Sequence, residues 1–257
     1  MIADMFEQVV LLVISFLANT FSAFSGGGAG LIQFPALIFL GLPFSIALAT
    51  HKIASVALGL GAVLRHRRTY LFHPRLVAAV LIGGLPGVLL GAWVIVEVHD
   101  NLATTMLGIL TLSLGIYSIC SPNLGAQVTV RHLHGTSYLT GLLVLFVIGV
   151  LNGSLSSGSG LFVTLWLVSW FGLDYRQAVA ITLVYVGIFW NGTGAVVLNI
   201  LSSVQWSWLP ALLLGSLAGG YLGAHLSIVK SNRMIKRAFE TITLLIGLKL
   251  LFQGTWT

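Results

Sequence analysis

Residues 25–42 read SGGGAGLIQFPALIFLGL, a glycine-rich break followed by a short apolar run at 31–42. As an α-helix, this run extends roughly 18 Å, whereas the hydrocarbon core of a bilayer is ~30 Å thick. A second break, rich in serine and glycine, lies at 156–160 and precedes another short apolar run at 161–172. Within a membrane protein, this pattern predicts two helices that begin part-way through the bilayer.

The composition requires lipid as the main solvent. The chain is 57% hydrophobic and 7% charged, with a mean hydropathy of +1.02, whereas soluble domains carry about 25% charged residues. In a soluble protein, the net charge of +6 would suggest nucleic acid, but in a membrane protein such an excess marks topology. The single Cys120 excludes an intrachain disulfide framework. We predict an all-α integral membrane protein with the bilayer as partner, no nucleic acid and no cofactor or metal.

Apolar runs separated by polar or Gly/Pro breaks predict about ten hydrophobic segments. Eight have spanning length, and the two short runs are re-entrant or half helices. The runs lie at 5–24, 31–42, 44–64, 75–96, 102–120, 136–153, 161–172, 177–200, 207–229 and 234–252.

The second half of the chain repeats the plan of the first at a shift of 130 to 132 residues. The matched positions are Ala47/Ala178, Ala49/Ala180, Gly83/Gly215, Gly87/Gly219, Gly91/Gly223 and Ala92/Ala224. We predict two repeats of five segments, at 1–122 and 136–257, joined by a cytoplasmic linker at 123–135. The alternative is chance similarity between membrane helices that pack through glycine.

Charge predicts the orientation of the segments. The basic loops contain Arg65, Arg67, Arg68, Arg75, Arg131, Arg176, Lys230, Arg233, Lys236 and Arg237. The positive-inside rule places these loops in the cytoplasm and both termini outside it. Because each repeat has an odd number of segments, the second repeat is inverted relative to the first.

Matched, broken segments in inverted repeats are typical of transporter binding sites. A helix that begins inside the membrane presents unpaired amides and a positive dipole end, which favour an anion. The alternative is a pair of re-entrant turns that satisfy their own backbone. The candidate substrate-binding residues are Ser25, Gly26, Gly27, Gly28, Gln33, Thr50, His51, Lys52, Ser157, Gly158, Ser159 and Asn191.

Lys52 lies about eight residues into an apolar segment with no acidic residue in the nearby helical turns. A lysine at this depth usually faces a cavity or a partner, so a bound anion or a distant polar group is expected beside it. The alternative is a lysine that extends to the outer interface. His51 is either a proton carrier or a hydrogen-bonded packing residue. Asn191, like Asn152, either lines the cavity or bonds between helices.

The chain resembles the sulfite exporter family of the TauE/SafE type. The resemblance rests on Gly26-Gly27-Gly28, Pro35-Ala36-Leu37, Ala47-Leu48-Ala49-Thr50-His51-Lys52, Leu85-Pro86-Gly87 and Gly91-Ala92. It implies a multi-pass permease of the cell inner membrane for sulfite, sulfonates or related organic anions. His51 stands where the family often has Asn, and Ser157-Gly158-Ser159 replaces an expected glycine run; both departures fall in the expected ligand pocket.

The residues suggest three functions to compare: a carrier, a channel and a hydrolase. A secondary carrier would bind a small anion at the midplane and use a proton or ion gradient, since no nucleotide-binding motif is present. A passive anion channel on the same scaffold is the alternative. An intramembrane hydrolase using Ser157 or Ser159 with His225 is disfavoured by the missing nucleophile motif and by the expected distance to His225. We therefore predict a transporter rather than an enzyme, and the residues do not distinguish import from export.

Overall fold

The computed structural model describes residues 2–26, 29–66, 73–95, 100–120, 129–156 and 158–253. Within these ranges the chain is helical and has no strand, so the all-α prediction is confirmed. Six helices of the described residues are long and apolar enough to cross a membrane, compared with eight predicted segments of that length.

The first part of the chain forms five helices of unequal length. They are α1 (Ile2–Ser25), α2 (Ala29–Phe39), α3 (Phe44–His66), α4 (Pro74–Val94) and α5 (Asp100–Cys120). α2 has only 11 residues and is the first of the two predicted short segments. It begins directly after the glycine-rich break.

The second part forms a similar series. Its helices are α6 (Gly135–Leu155), α7 (Ser159–Ser169), α8 (Tyr175–Leu201), α9 (Leu209–Val229) and α10 (Asn232–Gln253). α7 also has 11 residues and is the second predicted short segment. α5 and α10, the two predicted spanning segments outside the set of six, pack against each other.

A side-chain cap is present at the start of α8 and absent at the start of α7. The Asp174 carboxylate accepts from Gln177 N at 2.7 Å and so caps α8. At α7 the cap position is Gly158, which has a φ of 78° and no side chain to offer. Glycine suits this left-handed conformation, and the first amides of α7 are therefore left for another partner.

Glycines bring the helices into close backbone contact. Gly83, Gly87 and Gly91 on α4 lie against α6, and Gly215, Gly219 and Gly223 on α9 lie against α1. A β-carbon at any of the six would overlap the facing backbone. This close approach through small residues is typical of packed membrane helices.

α3 lies in the centre of the structure, between α9 and α8. Gly61 meets the backbone of α9 at Leu217, and Gly59 meets α8 at Gly187. The facing part of α8, Thr182–Trp190, is a π-helix, a local widening that is frequent at functional sites. The packing thus places an irregular stretch of α8 opposite the middle of α3.

Candidate functional site

A polar cavity with an empty volume of about 340 Å³ lies between the two short helices, the middle of α3 and α8, and the C-terminal end of α6. We call it the central cavity. Its polar side chains are those of Ser22, His51, Ser55, Asn152, Ser156, Ser159, Thr182 and Asn191. Leu58, Leu183 and Val186 form its apolar wall.

The first residues of both short helices line this cavity. Ala29 and Gly30 open α2, and Ser159 and Gly160 open α7. The amides of Leu161 and Phe162 donate to the Gly158 carbonyl oxygen, directly after the opening residues Ser159 and Gly160. Both helix starts, with the positive ends of their dipoles, therefore meet in one polar space.

Lys52 on α3 is fully buried, with 0% of its surface exposed, so it does not extend to the membrane interface. Its ammonium donates to the Asn152 backbone oxygen at 2.6 Å, to Asn152 Oδ1 at 2.7 Å and to Asn191 Oδ1 at 3.1 Å. All three contacts are to neutral oxygens. They satisfy the three N–H donors and leave the positive charge uncompensated by an acid within the described residues.

Asn152 connects this ammonium to the start of α7. Its Nδ2 donates to Ser159 Oγ at 2.7 Å, and Ser159 Oγ donates to the Ser156 carbonyl oxygen at 3.0 Å. Ser156 ends α6 with a positive φ of 56°. The polar chain from Lys52 to Ser159 fixes the position of the break between α6 and α7.

His51 lies one residue before Lys52 and is 1% exposed. Its Nδ1 lies 2.8 Å from Gln33 Oε1 on α2, and its Nε2 lies 3.1 Å from Ser55 Oγ one turn along α3. His51 and Ser55 line the cavity, whereas Gln33 lies behind His51. Gln33 thus holds the imidazole rather than facing the cavity itself.

Three predicted site residues have other contacts. Thr50 Oγ1 accepts from Gln205 N at 3.0 Å and does not line the cavity. Ser25 Oγ donates to the Phe21 carbonyl oxygen at 2.9 Å within α1. The Gly26 carbonyl oxygen accepts from Thr164 Oγ1 on α7 at 2.7 Å. Thr50 and Ser25 therefore support the local structure, and Gly26 ties the first break to the second short helix.

Three more predicted site residues, Gly27, Gly28 and Ser157, lie outside the described residues. Of the described ones, His51, Ser159 and Asn191 line the cavity. Lys52 contacts the cavity-lining asparagines, and Gly158 caps α7.

Sequence reasoning did not name Ser55, and it left Asn152 between a cavity residue and a contact between helices without including it in the site. Ser55 follows His51 by four residues, which places both on one helical face. Asn152 is an isolated amide near the end of an apolar run, and such a residue in a membrane segment needs a polar partner. The spacing of Ser55 from His51 and the isolated amide of Asn152 can both be seen in the sequence, but neither feature identifies Lys52 as the partner of Asn152.

Among the described residues, the hydrolase hypothesis would pair Ser159 with His225, but these two side chains have other partners. Ser159 Oγ bonds with Asn152 and Ser156, and His225 Nδ1 accepts from Arg65 Nε at 2.9 Å. The described residues also contain no group of three His, Cys, Asp or Glu side chains placed to hold a metal ion. What the site offers is hydrogen-bond donors and positive potential.

The fold and the cavity define a multi-pass helical membrane protein with a buried polar site between two short helices. Residues 11–250 match the model of the family described as Sulfite exporter TauE/SafE. The chain belongs to this family, as the sequence motifs predicted.

Curated relatives cover nearly the whole chain. A probable membrane transporter protein of Haemophilus influenzae is 28% identical over 249 residues, covering 96% of this chain and 95% of that protein. The probable membrane transporter protein YfcA of Escherichia coli K12 is 26% identical over 250 residues, covering 95% and 90% of the two chains. YunE of Bacillus subtilis, also named a probable membrane transporter protein, is 25% identical over 271 residues, covering 97% and 99%. No solved structure matches the chain.

Proposed function

We propose that this protein is a secondary transporter of small anions, which bind in the central cavity between the starts of α2 and α7 and beside Lys52. One observation carries the proposal. Two helix N-termini line a single polar cavity whose described lining contains no acidic side chain, and the buried ammonium of Lys52 lies behind it, bonded to the lining asparagines.

The electrostatics of this arrangement favour negative solutes. Each helix start contributes roughly half an elementary positive charge, and this positive end favours a bound anion. The Lys52 charge adds to both, because its described partners are neutral. Burying a lysine in mid-membrane costs on the order of 2.5–3.5 kcal/mol on insertion scales. An anion in the cavity offsets part of this cost.

The family description supports a sulfur-containing anion, with sulfite as the first substrate to examine. Sulfonates and related organic anions share the same recognition chemistry, a compact group of oxygens that accept hydrogen bonds. Asn191 and Ser159 supply side-chain contacts in the cavity, and the Gly158 cap offers no side-chain acceptor that would compete with the anion at the start of α7.

Matched hydrogen bonds support two structural repeats at 1–122 and 136–257, with a linker at 123–135. Gln33 on α2 pairs with His51 on α3, 18 residues later. A shift of 131 residues converts this pair into Thr164 on α7 and Thr182 on α8, which lie 2.9 Å apart and are also separated by 18 residues. The side chains differ, but the contact between short and long helix recurs.

The glycine contacts support the same two repeats and indicate which helices move together during transport. In α4 against α6 and in α9 against α1, the glycines and their partners both repeat at a shift of 130 to 132. The pairs are Gly83/Leu142, Gly87/Phe146 and Gly91/Val150, with Gly215/Leu12, Gly219/Phe16 and Gly223/Thr20. Each pairing joins one repeat to the other. Alternating access in this proposal therefore moves mixed bundles, α1 with α9 and α4 with α6, rather than one sequence half against the other.

The membrane location follows from the same proposal. The chain is a multi-pass protein of the cell inner membrane, with five segments in each repeat and both termini outside the cytoplasm. Six candidate spans support the membrane part, and the basic loops support the orientation.

Uptake of radiolabelled sulfite into proteoliposomes tests the function. A carrier gives saturable uptake that is accelerated by sulfite on the opposite side, whereas the alternative, a passive channel, gives currents proportional to voltage. Lys52→Ala is expected to abolish uptake. Because the substitution also removes the ammonium's hydrogen bonds, size-exclusion profiles must show that the variant is folded.

Lys249→Ala is the matched control, since Lys249 is an exposed lysine in α10 that lies over the Phe39 ring. Its uptake should equal that of the wild type. Full uptake by folded Lys52→Ala protein would remove Lys52 from the site, and unsaturable currents in the wild type would favour the channel.

A further inference from the structure

The amide orientation of Gln33 is fixed by its hydrogen-bond partners. Ser15 Oγ donates its single hydrogen to the Leu212 carbonyl oxygen at 2.7 Å, so Ser15 can only accept from other groups. The Gln33 atom 2.9 Å from Ser15 Oγ must therefore be the nitrogen, Nε2. It follows that the atom of Gln33 facing His51 is the oxygen, Oε1.

This orientation fixes the tautomer of His51. An amide oxygen only accepts hydrogen bonds, so His51 Nδ1, 2.8 Å from Gln33 Oε1, carries a hydrogen in every state. The remaining nitrogen, Nε2, faces the Ser55 hydroxyl at 3.1 Å. A hydroxyl can donate to a bare nitrogen or accept from a protonated one. His51 can thus gain or lose a proton at Nε2 without breaking either contact.

The proton site opens on the cavity. His51 and Ser55 both line it, and His51 is the only titratable side chain in its described lining. Lys52 on the same helix is the neighbouring charge. The side chains that α2, α6, α7 and α8 present around the site are Gln33, Asn152, Ser159, Thr182 and Asn191. None of these five titrates.

We propose that His51 Nε2 takes up the coupling proton, together with the anion, so that the protein is a proton–anion symporter. The inference rests on the proposed anion site. An imidazolium beside Lys52 places two positive charges on adjacent residues, which is unfavourable until an anion enters the cavity. The anion and the proton therefore bind cooperatively, and one proton with one monovalent anion crosses without net charge.

Because proton binding and anion binding are thermodynamically linked, the proposal can be tested by measuring the Kd for an anion at several pH values, without a transport assay. If one proton binds with the anion, the apparent Kd for the anion rises by up to about tenfold per pH unit as pH increases. The probe is methanesulfonate, whose own charge does not change near neutral pH. Its Kd follows from the thermal stabilisation of the purified protein between about pH 5 and 8, the range in which histidine changes charge.

His51→Gln tests the assignment, because glutamine can still donate to Gln33 but has no titratable nitrogen. The expected Kd of this variant is nearly independent of pH. His225→Gln is the control, since His225 bonds to Arg65 rather than lining the cavity, and its Kd should keep the wild-type slope. A second variant, His51→Asn, serves if the first does not fold.

The outcomes separate the two proposals. Methanesulfonate binding that is independent of pH in the wild type, or a slope that persists in either folded His51 variant, overturns the proton site and leaves the anion site standing. No binding of methanesulfonate or sulfite at any pH removes the anion site itself, and the proton site with it.

Discussion

Lys52 Nζ lies 2.6 Å from the backbone carbonyl oxygen of Asn152, a residue 100 positions further along the chain. A cation from one half of the sequence is thus held by the backbone and the amide of the other half. Because Asn152 also bonds to Ser159 at the start of α7, the contact links the charge to the second short helix. Asn152, which lines the cavity, therefore connects the Lys52 charge to the polar start of α7.

The first prediction concerns the contribution of Asn152 to stability. Asn152→Leu removes the Oδ1 acceptor of the buried ammonium and the donor to Ser159. Hydrogen bonds to charged groups are worth about 1.5–3 kcal/mol, so the variant should lose about that much stability. The measurement is the thermal unfolding midpoint of the purified protein in detergent.

A double-mutant cycle with Lys52→Met separates the charge from the packing. If the cost comes from stranding the ammonium, the double variant is more stable than the sum of the single losses predicts. Asn199→Leu, an exposed position on the same helix as Asn191, should change little. If the stability losses of Asn152→Leu and Lys52→Met simply add in the double variant, the interaction between Lys52 and Asn152 does not contribute to stability.

The sequence favoured a Lys52 that faces a cavity or a partner, while an extension to the outer interface stayed open; the structure buries Lys52 fully. The sequence did not predict Asn152 as the partner, since the choice among the polar residues of the second half depends on how α6 and α8 cross α3. The two breaks were likewise recognised from composition. Their meeting at one cavity required the three-dimensional packing.

Thr50 is a residue whose contact does not follow from its neighbours in the sequence. Its position beside His51 and Lys52 suggested a shared ligand, yet successive residues of a helix point about 100° apart. Its hydroxyl contacts Gln205 in the segment before α9 instead. Adjacency in sequence therefore predicted the helix, whereas the contact of Thr50 with Gln205 depends on how the segment before α9 packs against α3.

The second prediction concerns the glycine contacts between repeats. Gly87→Ala would place a β-carbon onto the Phe146 carbonyl oxygen, and overpacking of this kind typically costs about 1–3 kcal/mol. Gly219→Ala, the matching position against Phe16, should cost a similar amount. Both are measured as a fall in the thermal unfolding midpoint.

Gly192→Ala is the control for these substitutions. Its β-carbon would meet only Val56 Cγ2, at 3.9 Å, and alanine favours the helix by up to about 1 kcal/mol. This variant should be as stable as the wild type or more so. Equal losses at all three positions would show that the close contacts are not what holds the bundles together.

The third prediction concerns the bond between the first break and the second short helix. Thr164→Val keeps the side-chain shape and leaves the buried Gly26 carbonyl oxygen without its 2.7 Å donor, at a cost of about 1–3 kcal/mol. Because Gly26 precedes α2, we expect the variant to take up sulfite more slowly. Thr140→Val, which removes an exposed bond within α6, should take it up normally; equal rates would show that this bond does not position α2.

The fourth prediction concerns orientation in the membrane. Cys120 is an exposed free thiol at the end of α5, next to the predicted cytoplasmic linker. A maleimide that cannot cross membranes should leave Cys120 unlabelled in intact spheroplasts and label it after permeabilisation. In a Cys120→Ser background, Ser207→Cys, an exposed position before α9, should react without permeabilisation. The reverse pattern would invert every segment, and the arginine-rich loops would then face outward against the charge bias that normally sets topology.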